Sequence, residues 1–210
     1  MFAAHVVFLV LATVIALTPL QFARERGKLF APLWLAWIVI WGGLASMTVF
    51  GLFTFSPPIL RLAAHFGGQV VVGIILFLAF ASIRAAVRSI PLYWLVRWQQ
   101  ARVIGGFFLI GAAMGEVPWL FALIAGLGDI SVGIAARFTA RAMENGNARR
   151  LAARHMVMGM TDFTIAVGTA IITQANLGWP YLMIPLFLVP MAILGHLAVL
   201  DRVLSHRGTA

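Results

Sequence analysis

Residues 118–138, PWLFALIAGLGDISVGIAARF, and residues 155–175, HMVMGMTDFTIAVGTAIITQA, decide the fold. Each is an apolar run close to the roughly 20 residues that an α-helix needs to cross a hydrocarbon core about 30 Å thick. Each also carries one aspartate deep inside, Asp129 and Asp162, and the segment between them is basic. Ionisable residues in such a setting face a bundle interior, because lipid cannot solvate them.

Five further apolar stretches of spanning length lie outward from this pair, near 2–22, 30–53, 68–87, 99–116 and 180–203. With 62% hydrophobic and 10% charged residues in 210, the chain has too much apolar surface for a soluble domain. The expected fold is all-α: one domain over residues 1–210, a polytopic bundle of seven transmembrane helices. The first 22 residues lack the basic start of a signal peptide and run too long for one, so they read as a retained span.

The basic residues set the orientation. Arg24, Arg26 and Lys28 follow the first span, and Arg84, Arg88, Arg97 and Arg102 surround the third connection. Arg137, Arg141, Arg149, Arg150 and Arg154 fill the fifth, and Arg202 and Arg207 lie at the C-terminal end, which leaves Arg61 as the exception among 15 Lys and Arg. Positive charge on the inner side predicts the N-terminus out and the C-terminus in. Trp119, Trp179 and Tyr181 would mark the outer interface, and Tyr93, Trp94 and Trp98 the inner one. Residues 85–98, interrupted by Pro91, read as a short amphipathic piece on the inner surface.

The same distribution excludes nucleic acid as partner despite a net charge of +9, because the charges alternate with apolar runs and do not form one basic face. The chain has no cysteine, which removes disulfides, thiolate catalysis and cysteine metal ligation. The longest polar segments, 54–67 and 139–154, are too short to fold as a nucleotide-binding domain. No catalytic spacing is present and no catalytic residue is assigned, so an enzyme is not the expectation. Cofactor and metal are left open.

Candidate site residues come from depth. Asp129 lies eight positions from Arg137, Asp162 eight from Arg154, His196 six from Arg202 and Arg102 five from Arg97. At 1.5 Å per residue these are depths of about 12, 12, 9 and 7 Å, one layer in the inner half of a bilayer. Small residues surround the aspartates: Ala122, Gly126, Asp129, Gly133 and Ala136 share one helical face, and Asp162, Ala166, Thr169 and Thr173 another. Such faces allow close helix approach in lipid. Arg102 can pair with a carboxylate, a cation can bridge both, or the two can share a proton. Each aspartate can equally serve as hydrogen-bonded glue between helices.

The leading expectation is a small proton- or cation-linked transporter with Asp129, Asp162, His196 and Arg102 at its solute or proton site. The alternative is an accessory or assembly subunit of a larger membrane complex, or a homo-oligomer, with the stripe of Trp34, Trp37 and Trp41 and the glycine faces as partner contacts. A third reading, a haem- or metal-binding redox protein, rests on the five histidines. His155 and His196 lie on the inner side about one helical turn apart in depth, and His5 and His65 on the outer side, His65 in a loop. Glu116, before Pro118, is expected to cap the fifth span.

The run from Gln99 to Gly133, with QQARVIGGFFL and GDISVG, together with GMTDF and the proline-rich last span, resembles small bacterial inner-membrane proteins of uncharacterised function. The resemblance covers the C-terminal half and implies a multi-pass protein of the bacterial inner (cytoplasmic) membrane. Seven spans with an outside N-terminus also resemble microbial rhodopsins, but the last span has no lysine to form a retinal Schiff base.

Overall fold

The computed structural model describes residues 2–17, 30–49 and 58–205, and these are helical apart from short turns. In chain order the helices are α1 (Phe2–Leu17), α2 (Phe30–Val49), α3 (Pro58–Ala79), α4 (Ala81–Ser89), α5 (Leu92–Trp98), α6 (Phe107–Ala113), α7 (Trp119–Ala142), α8 (Ala148–Ile172) and α9 (Ile184–Ser205). A 3₁₀ segment, Gln99–Gly106, joins α5 to α6. The all-α expectation stands. Arg24, Arg26, Lys28, Pro57 and Arg207 lie outside the described residues.

Among the described residues, Ala31–Thr48 of α2 and the whole of α7, α8 and α9 are long and apolar enough to cross a membrane. A fifth candidate is Ala64–Ala79 taken with α4, a pair bent by 104°. The second, fifth, sixth and seventh apolar stretches therefore appear as long helices. The first is a helix of 16 residues. The fourth, expected as one helix over 99–116, is instead a 3₁₀ segment followed by α6.

The chain divides into two compact units, Met1–Ile90 with Leu182–Leu194, and Pro91–Tyr181 with Gly195–Ala210. In the first unit α3 starts with Pro58 as its first residue, where a missing N–H costs nothing. Residues 58–67, expected as loop, are thus helical. His65 is buried on α3, and its Nε2 meets the Thr48 hydroxyl on α2. Thr48 donates its own proton to Leu44 O at 2.9 Å, so it accepts from His65 Nε2–H.

One turn further along α3, the Gln69 amide donates to the Leu186 carbonyl. In an α-helix that carbonyl would accept from the N–H of residue 190, which here is a proline. Gln69 supplies the missing donor, beside a π-helical turn over Ile184–Leu188. Trp41 of the tryptophan stripe packs 3.7 Å from where a Cβ on Gly68 would stand, so part of that stripe faces the chain's own α3.

The bend between α3 and α4 falls at Phe80, whose backbone is extended (φ −113°, ψ 113°). Arg84 Nη1 turns back to the Phe77 carbonyl at 3.1 Å and to that of Leu78, the acceptors that the end of α3 leaves open. Arg84, counted in the sequence among the basic residues of the inner side, therefore caps a helix.

In the second unit, α6 ends at Gly115 (φ +76°) with the Gly115 N–H on Ala112 O and the Glu116 N–H on Gly111 O, a Schellman closure that needs a left-handed residue. Pro118 stands at the start of α7 with no side-chain capping bond, and the buried Glu116 Oε2 has no hydrogen-bond partner, so that oxygen does not supply the expected cap. A π-helical turn over Ala122–Gly126 opens α7. The expected small face is buried throughout: Ala122, Gly126, Asp129, Gly133 and Ala136. Between α7 and α8 the turn is short, and the Asn147 side chain caps α8 by accepting from the Arg150 N–H at 3.1 Å. Trp119 is exposed, whereas Tyr181, expected at the outer interface with it, is buried against Gly111.

Candidate functional site

The site is built on the 3₁₀ segment. With three residues per turn, Gln99, Arg102 and Gly105 stack on one face, and all three are buried. Arg102 is thereby directed into the second unit with Gly105 one turn beyond it. Opposite lie the small faces of α7 and α8. A Cβ on Gly105 would run into Asp129 Cγ at 2.7 Å, one on Gly128 into Asp162 Cγ at 2.9 Å, and one on Gly133 into Val103 N at 3.0 Å. Glycine at these positions lets the three backbones approach to the distance at which short aspartates reach one guanidinium.

Arg102 uses all three nitrogens. Nε and Nη2 both lie 2.8 Å from Asp129 Oδ1, Nη2 also donates to Asp162 Oδ2, and Nη1 donates to the Gly159 carbonyl at 3.2 Å. The guanidinium carbon sits 3.7 Å from the centroid of the Phe163 ring, a cation–π contact on the remaining face. Planarity and a fixed fork of donors make arginine the one side chain that can bridge two carboxylates on different helices while donating to a third group.

His196, on α9, lies against Gly159, where an added Cβ would meet its Cε1 at 2.6 Å and Arg102 Nη1 at 3.0 Å. Its ring is 6.0 Å from Phe163, edge to face, and 5.9 Å from the ring of His155. His155 is 3% exposed and His196 1%, and neither nitrogen of either ring has a hydrogen-bond partner. Asp129 has a side-chain exposure of 9% and Asp162 of 14%, which makes Asp162 the more open carboxylate.

All four residues singled out from depth, Arg102, Asp129, Asp162 and His196, thus meet in one cluster. His155 joins them although it was expected a turn away in depth; the two imidazoles lean toward each other from α8 and α9. Its signal was present in the sequence, since His155, Gly159 and Asp162 follow at i, i+4 and i+7 on one face of α8. Phe163 and the glycines Gly105, Gly128 and Gly159 carried no chemical signal of their own. Among the described residues no three or more His, Asp or Glu are grouped so as to hold a metal ion. His196 Nε2 is pressed on the Gly159 backbone, which leaves no gap there for a porphyrin plane.

These features define an all-helical protein with several candidate membrane spans and a buried Arg–Asp–Asp cluster flanked by two histidines. Residues 59–204 match the family described as a domain of unknown function (DUF8737), and the chain belongs to that family. No curated protein and no solved structure matches it.

Proposed function

We propose that the protein is a small membrane transporter coupled to a proton or another small cation, with Asp129 and Asp162 as the exchanging groups. Arg102 is their fixed counter-charge, and His196 tunes them from α9. The observation that carries this reading is the charge balance: a buried carboxylate, Asp129, and a partly buried one, Asp162, share one guanidinium, so the ionised cluster lacks one positive charge. An isolated charge held in a low dielectric is costly, and a site one cation short gains by taking one up. A purely structural clasp needs only one carboxylate per arginine.

The full topology we assign is a seven-span bundle over residues 1–210, N-terminus out and C-terminus in, in a bacterial inner membrane. Its fourth span is the 3₁₀ segment with α6. At about 2.0 Å per residue for the 3₁₀ part and 1.5 Å for the α-helical part, residues 99–113 extend about 26 Å, which brings the segment about 4 Å nearer a hydrocarbon thickness of about 30 Å than an α-helix of the same length.

The test is flux in proteoliposomes. Asp129→Asn and Asp162→Asn, each shown to fold, should abolish proton- or cation-driven uptake that the unaltered protein supports. Unchanged flux in both variants overturns the reading.

A further inference from the structure

Resting on the transport reading, we propose that the ion taken up at this cluster is a bare proton, shared between the aspartate pair and the His155–His196 pair, and neither a metal nor an organic cation. Space is the first argument. Asp129 Oδ1 and Asp162 Oδ2 are occupied by Arg102. The other oxygens, Asp129 Oδ2 and Asp162 Oδ1, lie where a methyl group on Gly105 or Gly128 would have to stand. A hydrated or organic cation would have to part the helices to reach them, whereas a proton needs only a lone pair.

The second argument is the ligand set. A metal ion needs several convergent donors at coordination distance, and no such group of three occurs among the described residues. The third is the histidines. A neutral imidazole has one bare nitrogen that accepts a proton, and here two such rings lie 5.9 Å apart with no hydrogen-bonding partner on any of their four nitrogens. Buried rings left in this state within a charged cluster are acceptors in waiting.

The step balances. A proton from water at the more open carboxylate joins an Asp162 oxygen, giving a neutral carboxylic acid and a cluster with one positive and one negative charge. Because neither ring hydrogen-bonds a carboxylate directly, the acid then gives that proton through a bridging water to the bare nitrogen of His196 or His155, which leaves carboxylate and imidazolium, and the imidazolium gives it up to water in turn. The charged group that faces the histidines is Arg102 from the 3₁₀ segment, whose Nη1 meets the His196 ring at Gly159, and Phe163 from α8 stands edge to face with that ring. Arg97 on α5, Arg137 on α7 and Arg154 on α8 are exposed.

The experiment uses the full chain in phosphatidylethanolamine–phosphatidylglycerol vesicles with a pH-sensitive dye inside and a potassium diffusion potential imposed. Proton flux is read with sodium, lithium or choline chloride outside at one fixed trace of potassium, and pH-induced infrared difference spectra are taken on the same samples. The expected result is flux independent of the external salt, lowered on the order of 100-fold by Asp162→Asn and by His196→Gln. A protonated-carboxyl band should accompany it and vanish in Asp162→Asn. If His196→Gln does not fold, His155→Gln reads the same relay.

Flux that Asp162→Asn abolishes but that requires sodium or lithium, with no carboxyl or imidazole band, overturns the proton and leaves transport standing. Flux that neither aspartate variant alters overturns transport; a carboxyl band still lost in Asp162→Asn would then support the proton site alone.

Discussion

Arg102 has no water to fall back on, so the two carboxylates around it are partners that cannot be removed singly without cost. Arg102→Leu strands both aspartates and should destabilise the protein by about 3–5 kcal/mol. Asn at 129 and 162 in the same chain should recover most of that loss. Unfolding in mixed micelles measures both, and a triple variant no better than Arg102→Leu would show that packing, not charge, holds the site. Glycine variants separate space from helix propensity. Gly128→Ala puts a methyl group against Asp162 and should cost about 1–3 kcal/mol. Gly168→Ala, in the same unit but with nothing within 4 Å, should be neutral or stabilise by up to about 1 kcal/mol. At this scale the sequence was informative because ionisable residues are rare in apolar runs, and matched depth brought out four members of the cluster. Depth alone left out His155, because counting along an axis ignores how far an imidazole reaches sideways; its shared face with Asp162 on α8 was the legible signal.

Helix periodicity found α2, α7, α8 and α9 because long apolar stretches with a 3.6-residue repeat have one solution in lipid. It failed where the backbone leaves that repeat. Gln99, Arg102 and Gly105 line up in one row at three residues per turn, whereas an α-helical reading of 99–116 rotates each by about 60° from the last and leaves Gln99 and Gly105 about 120° apart. The start of α3 was misread for another reason: Pro57 and Pro58 look like loop, yet a proline at the first helical position is a start signal. The polar link to α9 was half legible. Pro190 announced an open carbonyl, and nothing local named Gln69 as its donor. Removing the donor by Gln69→Leu should cost about 1–3 kcal/mol, the penalty of a buried carbonyl left unpaired. Pro190→Ala restores an N–H to α9, so the same Gln69→Leu change made in that background should cost less. A double-mutant cycle on unfolding measures this, and strict additivity would mean that Gln69 and Pro190 do not share the carbonyl.

For the molecule as a whole, what decides between few spans and seven is whether residues 99–113 cross the membrane. The argument for crossing is mechanical: a 3₁₀ stretch extends further per residue than an α-helix, and Arg102 within it is fully satisfied by internal partners, so its charge does not bar the core. The argument against is composition, since Gln99, Gln100 and two glycines make a poor apolar run. The chain has no cysteine, so single introduced cysteines report sidedness without background. In intact cells, a membrane-impermeant maleimide should label Glu116→Cys and Gly178→Cys from outside, and should label Arg97→Cys and Asn145→Cys only after the membrane is opened. Gly178 has open space around it and Asn145 is exposed, so neither change disturbs packing. Labelling of Arg97→Cys and Glu116→Cys from the same side would make the segment re-entrant and remove the fourth span. The Asn145 and Gly178 pair reversed would invert the bundle and place the Arg102 layer nearer the outer face, where the positive-inside charge pattern would have to be explained another way.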